Sequence, residues 1–203
     1  MQGTFFDDFE AAAHWVAALA NTIGNDQWEM PGLGVWDVRS LLGHTSRALV
    51  TVEEYLARPC DTIDCPSTID YLSGASRVDP SVIAARGRDA GLALGSDPRA
   101  YVRELSVRVP ALVRENDPDV VITTIAGGMT LSSYLPTRTV ELIVHGCDLT
   151  RAIDAHVDPP LGALRSVVHL LADTYLATGR GVSFCLAIAG RQISSHDLGI
   201  WPS

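Results

Sequence analysis

The stretch ELIVHGCDL, from Glu141 to Leu149, places three ionisable side chains inside an otherwise apolar run. Glu141, His145 and Asp148 are spaced by four and three residues, so on an α-helix that turns about 100° per residue they share one face. A carboxylate and an imidazole one turn apart are ligand types that hold zinc in proteins. Burying such a face is costly unless its groups are paired or bind a metal. The spacing therefore indicates either a solvent-facing strip or half of a metal site.

The opposite side of the same helix carries small residues, so the sequence leaves two ways to orient it. Thr139, Gly146 and Thr150 lie there, with apolar side chains on both flanks. In one interpretation the acidic face is solvated, as charged side chains usually are, and the small residues pack closely against a neighbouring helix. In the other, the acidic face turns inward and binds a metal. This helix alone does not decide between them.

A further candidate ligand, His44, lies about a hundred residues earlier, in the segment DVRSLLGHTSRALVTVEEYL. It falls about 100° from the centre of that segment's apolar stripe, as expected for a residue that lines a cavity in a helical bundle. Taken alone, such a histidine is more often an ordinary core or surface residue. Together with Glu141 and His145 it would complete a set of two imidazoles and one carboxylate. That set suits zinc and leaves a fourth position open, and nickel or iron would also fit.

Other candidate residues have weaker spacing. Asp148, one turn beyond His145, can orient a ligand or a substrate through a hydrogen bond, or it is a plain surface carboxylate. Cys147 falls on the far side of the helical wheel from Glu141 and is not a predicted ligand. Four histidines have no partner at ligand spacing and are predicted to be structural or surface residues: His14, His156, His169 and His196. The scattered cysteines are predicted to be reduced thiols: Cys60, Cys65, Cys147 and Cys185.

Apolar periodicity predicts the helices that must position these ligands. A first amphipathic helix is predicted over 4–23, and a second, which begins after an Asp37 N-cap, over 38–58. Pro136 is predicted to open the helix that carries the acidic motif, because proline suits the first helical position. That helix is expected to run over 136–154. The ligands would then come from two helices that are far apart in the sequence.

The remaining segments predict further helices and few strands. Acidic N-caps before prolines predict helices after Asp79 and Asp97, the later one kinked or ended at Pro110. The other expectations are a long loop with one helical turn over 59–79, a short hairpin at the Gly127-Gly128 turn, a helix over 159–179 that ends at Gly179, and a strand or extended edge over 181–193. Together these elements predict a mainly all-α bundle with extra short helices and a short strand pair, in one domain over 1–203.

Composition narrows the class of protein. The net charge of -9 and the absence of a basic cluster argue against a nucleic-acid partner, because phosphate binding relies on clustered cations. All fifteen basic residues are arginine, a bias that GC-rich codon usage explains more simply than function does. No segment has the length of a membrane span, and the amino terminus lacks the pattern of a signal peptide. A cytoplasmic location without a membrane partner is therefore expected.

Two stretches give the sequence a resemblance to a known family. VWDVRSLLGHTSRAL is similar to a signature of a tryptophan followed by a helix and a histidine. YLPTRTVELIVHGCDLTRAI is similar to an Arg-x-x-Glu-x-x-x-His-x-x-Asp-Leu signature. Both resemble the DinB-like superfamily, specifically the amino-terminal domain of mycothiol-dependent maleylpyruvate isomerases and shorter proteins related to it. The resemblance implies an antiparallel four-helix bundle with a metal near one end.

The resemblance also implies roles for individual residues. It places the family's metal-binding roles on His44, Glu141 and His145, the set reached above from helix geometry. Arg138 and Asp148 fall on motif positions that suit the orientation of a ligand or substrate. The implied cofactor is a divalent metal, most simply zinc, with nickel or iron as alternatives.

The activity that the resemblance implies is thiol chemistry. The cosubstrates would be mycothiol or a similar thiol and an electrophilic small molecule, in an S-transfer or a cis–trans isomerisation. The complete isomerases continue into a carboxy-terminal domain that helps form the active site, and the fifty or so residues after the motif helix are too few for it. Maleylpyruvate isomerisation itself is therefore not expected. The alternatives are a metal-dependent hydrolase and a non-catalytic metal-binding or regulatory bundle, and pairing into a homodimer is a further expectation.

Overall fold

A computed structural model describes residues 5–75 and 79–192, and within these residues the chain is mainly helical. In chain order the elements are α1 (Phe5–Thr22), β1 (Pro31–Leu33), β2 (Trp36–Asp37), α2 (Val38–Leu56), α3 (Thr68–Ala75), α4 (Pro80–Ala93), α5 (Pro98–Arg114), β3 (Val121–Thr124), β4 (Gly127–Thr130), α6 (Leu131–Ala152), α7 (Leu161–Ala177) and α8 (Gly181–Ile188). The predicted mainly all-α class with a short strand pair is confirmed. The assignment of one domain to 1–203 stays a prediction.

Four long helices form the bundle that positions the site. Helix α1 packs against α5 and α6, and α2 packs against the same two helices, so the four close a ring around a shared core. Apolar stripes supply this core, with Phe9, Val16, Leu49, Val109 and Leu142 fully buried. Each of these helices has one apolar stripe. All four stripes are removed from water only when the helices pack around a common core, which gives the ring. Helix α4 packs on the outside of α2, and α7 on α1, α3 and α6.

The predicted helix starts are largely correct because their capping residues act as expected. The carboxylate of Asp37 accepts a hydrogen bond of 2.7 Å from the backbone N–H of Ser40 and caps α2. Asp79 and Asp97 cap α4 and α5 in the same way, each followed by a proline at the start of the helix. The helix predicted over 4–23 is α1, and its predicted first residue lies outside the described part of the chain.

Two prolines that were predicted to bound helices lie inside them. Helix α6 begins at Leu131 rather than Pro136, because the Thr130 hydroxyl caps it by accepting from the N–H of Ser133. A proline this near the helix start lacks only one early backbone hydrogen bond. Pro110 does not end α5, which continues to Arg114. Pro110 itself is buried, so core packing in the last turns of α5 offsets its missing donor.

The prediction of a strand over 181–193 is wrong. This segment contains α8, which follows the left-handed Gly179 (φ 74°) at the end of α7. The ring of Phe184 stacks on that of Tyr175, with 4.9 Å between their centroids. A helix satisfies its backbone hydrogen bonds internally, whereas a strand here would need a partner strand. Residue 193 lies outside the described residues.

The connecting segments agree with the sequence in part. The predicted loop over 59–79 contains α3, which is longer than the single helical turn expected. The predicted hairpin is the antiparallel pair β3–β4, with Val121 opposite Thr130. The pair β1–β2 was not predicted, and it fixes Trp36 at the start of α2. Among the described residues, no helix combines the length and apolarity that crossing a membrane requires.

Candidate metal centre

Helices α2 and α6 bring the three predicted ligands together. His44 Nε2 lies 3.8 Å from Glu141 Oε2, and His145 Nε2 lies 3.2 Å from the same oxygen. One potential ligand atom from each residue lies within 4.8 Å of the others. The three side chains are less than a fifth exposed, at 18%, 19% and 17% for His44, Glu141 and His145. Three groups that could each bind a cation therefore meet at one point inside the bundle.

The packing of α6 explains why its acidic face turns inward. On the opposite face, a Cβ at Gly146 would lie only 2.2 Å from the ring of Trp15 in α1. The absence of a side chain at Gly146 thus lets α6 approach α1 closely, and the acidic face is left to line the space beside α2. The sequence allowed either of two faces of this helix to point to solvent. In the structure both faces lie within the protein.

Burial and pairing shift the pKa values of all three groups. Burial by itself would lower the pKa of His145, but hydrogen bonds to Asp148 and Glu141 outweigh it and raise that pKa to about 9. Burial would raise the pKa of Glu141, but the nearby His145 and His44 side chains and the charge of Arg138 hold it well below its usual range. Burial lowers the pKa of His44, with a smaller contribution from the charge of His145. His44 is therefore neutral at pH 7, Glu141 is ionised, and His145 carries a proton that holds the cluster together.

The donor set fits a divalent cation. His145 Nδ1 lies 3.2 Å from the Asp148 carboxylate, which orients the ring and leaves Nε2 directed at Glu141. An ionised carboxylate is only an acceptor, so a neutral His145 would place a lone pair against Glu141 at 3.2 Å. A proton or a metal ion between these atoms removes that repulsion. Two imidazoles and one carboxylate are a usual zinc set of three, with one further position for water or substrate.

The sequence comparison then assigns the family. Residues 9–150 match the family described as the mycothiol maleylpyruvate isomerase N-terminal domain. The chain belongs to this family. The matched residues of the isomerase N-terminal domain include both ligand-bearing helices, whereas α7 and α8 lie beyond the match. No curated protein and no solved structure matches the chain.

Trp36 packs against the first candidate ligand, His44, in this isomerase-family chain. Its ring lies 4.5 Å from that of His44, and its indole N–H donates a 3.0 Å hydrogen bond to the carbonyl of Ala84 in α4. A Cβ at Gly87 would lie 2.4 Å from the indole, so the glycine makes room for it. His44 Nδ1 is buried without a hydrogen-bond partner among the described residues. A tilted ring contact with Trp36, with 31° between the ring planes, therefore orients His44 in place of the hydrogen bond that usually orients a metal-binding histidine.

A cavity of about 410 Å³ opens from the three ligands. Other side chains that line it include Trp36, Arg47, Tyr55, Tyr71, Tyr134 and Arg138. The Tyr134 hydroxyl donates to Thr51 Oγ1 at 2.9 Å, and burial raises the pKa of this tyrosine. The sequence did not identify Tyr71, Tyr134 or Arg47 as site residues. Tyr134 and Arg138 lie one turn apart on α6, before Glu141, and this spacing was the available signal.

Of the remaining candidates, two lie beside the cluster and the others lie away from it. Asp148 contacts His145, as described, and Arg138 Nη2 lies 3.9 Å from Glu141 Oε1. Cys147 is half-buried and packs against the apolar core. His14, His156 and His169 are exposed. His196 lies outside the described residues.

Proposed function

We propose that the chain is a metal-dependent enzyme that activates a low-molecular-weight thiol, such as mycothiol, for S-transfer or cis–trans isomerisation. The observation that carries the proposal is the convergence of His44, Glu141 and His145 on the wall of a cavity large enough for small molecules. Zinc suits these donors best. When bound, such a cation lowers the pKa of a coordinated thiol and supplies a thiolate at neutral pH.

The residues of the chain would hold and orient the reactants. His44, Glu141 and His145 would be the metal ligands, and Asp148 would keep the His145 ring in place. In an addition, a sulfur–carbon bond forms as the carbon–carbon π bond breaks, and the neighbouring carbon takes up a proton. Reversal after rotation gives isomerisation, whereas loss of another group gives S-transfer.

The open cavity favours an enzyme over a structural metal site. Structural zinc sites are closed by four protein ligands, whereas catalytic sites keep a position for substrate. Among the described residues, three candidate ligands cluster here, and they line a cavity. A cytoplasmic location and a homodimer stay predictions.

The test combines metal analysis with a thiol-conjugation assay. Purified protein is assayed with mycothiol and an electrophile such as chlorodinitrobenzene, as wild type, His44→Ala and the control His14→Ala, which changes an exposed histidine. We expect about one metal per chain and a thiol-dependent rate in wild type and control, and loss of both in His44→Ala. Stoichiometric metal without a thiol-dependent rate would remove the enzyme proposal and leave a metal-binding bundle. Thiol-independent ester cleavage would instead favour a hydrolase.

A further inference from the structure

A second cavity, of about 250 Å³, lies where α1, α3, α6 and α7 meet. Each of these helices contributes one polar residue to its lining: Asp8, Thr68, Thr139 and Ser166. The other lining side chains are apolar: Phe5, Pro136, Val167 and Leu170. Among the described residues, this second cavity shares no lining side chain with the cavity of the candidate metal centre. The proposed function therefore leaves it unexplained.

Asp8 brings a carboxylate into the second cavity, and one of its oxygens is unused. The residue is 7% exposed. Its Oδ2 accepts a 2.6 Å hydrogen bond from the Ser166 hydroxyl, whereas Oδ1 has no hydrogen-bond partner among the described residues. Oδ1 is not sealed off either, and Asp8 lines the cavity, so a ligand in the cavity can reach this oxygen. Burial of a carboxylate is costly unless its oxygens are paired, so a hydrogen-bond donor at Oδ1 would be stabilising.

The hydroxyl groups that line the second cavity also offer acceptors. Thr68 Oγ1 donates its proton to the carbonyl of Ser133 at 2.7 Å. Thr139 Oγ1 donates to the carbonyl of Leu135 at 3.2 Å, and the Ser166 hydroxyl donates to the carboxylate as described. A hydroxyl has one donor and two acceptor lone pairs, so each of these groups keeps only lone pairs for a ligand. The described polar side chains of the lining thus present acceptors alone.

A structural role explains only part of this arrangement. The partial positive charge at the start of α1 favours a carboxylate there, and the bond to Ser166 ties α1 to α7. Neither effect requires an unpaired oxygen or the cavity beside it. An apolar cavity whose polar side chains are acceptors fits a ligand with cationic N–H groups and an apolar body. A primary ammonium group suits it best, because it is compact and carries three donors.

We propose that the second cavity binds a small primary ammonium ion with a compact apolar body. The ammonium group would donate to Asp8 Oδ1, and the apolar body would pack against Val167 and Leu170. Ser166 is an exposed residue, so the cavity is open to solvent on the side of α7. An inorganic cation fits less well, because it needs oxygen ligands on most sides and half of the lining residues are apolar. This site is independent of the proposed thiol chemistry.

The test compares benzylammonium with benzyl alcohol, which is neutral and of nearly the same shape. Calorimetric titration at pH 7 measures both ligands on the full chain as wild type, Asp8→Asn and the control Asp173→Asn. Asp173 is an exposed aspartate on α7 that lines neither cavity. Asparagine keeps the size of aspartate, and thermal melts verify that each variant is folded. Nuclear Overhauser contacts between the ligand ring and the methyl groups of Val167 and Leu170 locate the bound ligand.

We expect wild type and Asp173→Asn to bind benzylammonium about tenfold more tightly than benzyl alcohol, because a hydrogen bond between charged groups replaces a neutral one. In Asp8→Asn this preference should fall to about twofold or less. Contacts from the ligand ring to Val167 and Leu170 are expected in wild type.

Several results would overturn the ammonium site. Equal binding of the two ligands by wild type, no detectable binding of benzylammonium, or a preference that persists in Asp8→Asn each does so. A preference that a chelator abolishes also does so, because the amine would then bind a metal. A preference that potassium abolishes at constant ionic strength shows a site for an inorganic cation instead. If Asp8→Asn does not fold, the wild-type comparison and the contacts to Val167 and Leu170 decide.

Discussion

His145 has partners on both ring nitrogens, and this double contact defines the chemistry of the cluster. Nε2 lies 3.2 Å from Glu141 and Nδ1 lies 3.2 Å from Asp148. The spacing of these three residues predicted that they would share a helical face. Their charge state depends on burial and on His44, which comes from another helix, so the sequence did not define it. The raised pKa of His145 keeps its ring protonated at pH 7 in the metal-free protein, so a metal ion bound through Nε2 would have to displace that proton.

Metal binding at pH 7 should therefore release about one proton per chain. The pKa of His145 lies at about 9, so this ring is protonated at pH 7, whereas Glu141 has a strongly lowered pKa and His44 is neutral. Zinc affinity should rise by about tenfold per pH unit between pH 7 and pH 8 and fall at lower pH. Calorimetry in buffers of different ionisation enthalpy measures the protons released.

The control for proton release is Asp148→Asn. This change removes one of the two partners that raise the pKa of His145, so fewer protons should be released at pH 7. It should also weaken zinc binding by about tenfold to a hundredfold, because the ring loses its orienting carboxylate. Release of no proton by wild type would contradict a protonated His145 in the metal-free protein.

At the scale of elements, two close helix contacts position the site. Gly146 lets α6 approach Trp15 of α1, and Gly43 brings α2 against α4. Helix α4 in turn supplies the carbonyl of Ala84, which fixes Trp36 over the His44 ring. The helices themselves were predictable from apolar periodicity and capping residues. The sequence did not predict which helices contact each other, because a small residue permits close contact with any neighbouring helix and does not specify which one.

The variant Gly43→Ala should destabilise the fold by about 2 kcal/mol or more. A Cβ at position 43 would lie 2.2 Å from the backbone nitrogen of Gly91, and backbone cannot move aside as a flexible side chain can. The matched control is Gly74→Ala in α3, where no atom of the described residues lies within 4 Å of the new Cβ. Alanine is the better helix former, so this control should be neutral or slightly stabilising. Urea unfolding of both variants measures the difference, and equal stabilities would contradict the close contact.

At the scale of the whole molecule, the candidate metal centre joins segments that are distant in the sequence. His44 lies in α2, and Glu141 and His145 lie in α6, so a bound ion would cross-link two sides of the bundle. The unfolded chain has no preassembled site and should bind the ion much more weakly. We therefore expect metal binding to be coupled to folding.

Zinc should raise the midpoint of thermal unfolding by about 5 to 10 °C at a free concentration a hundredfold above its Kd. The linkage relation gives about 2.7 kcal/mol under this condition, and each kcal/mol shifts the midpoint of a chain of this size by about 2 to 4 °C. Scanning calorimetry with and without zinc measures the shift. His44→Ala should lose most of it, while His14→Ala, on the exposed side of α1, should keep it. A shift of the same size in both variants would place the ion elsewhere.

The sequence by itself determined the helices, the shared face of Glu141 and His145, and the family signature, because periodicity, capping and spacing are local properties of the chain. The start of α6 was predicted wrongly because the Thr130 cap lies before Pro136. The segment of α8 was predicted wrongly as a strand because no partner strand is available to it. Only the tertiary structure decided that Arg138 opens into the cavity and that Trp36 orients His44. Those contacts depend on how closely the helices approach one another. The helix distances follow from the close packing of side chains throughout the bundle, which no local stretch of sequence determines.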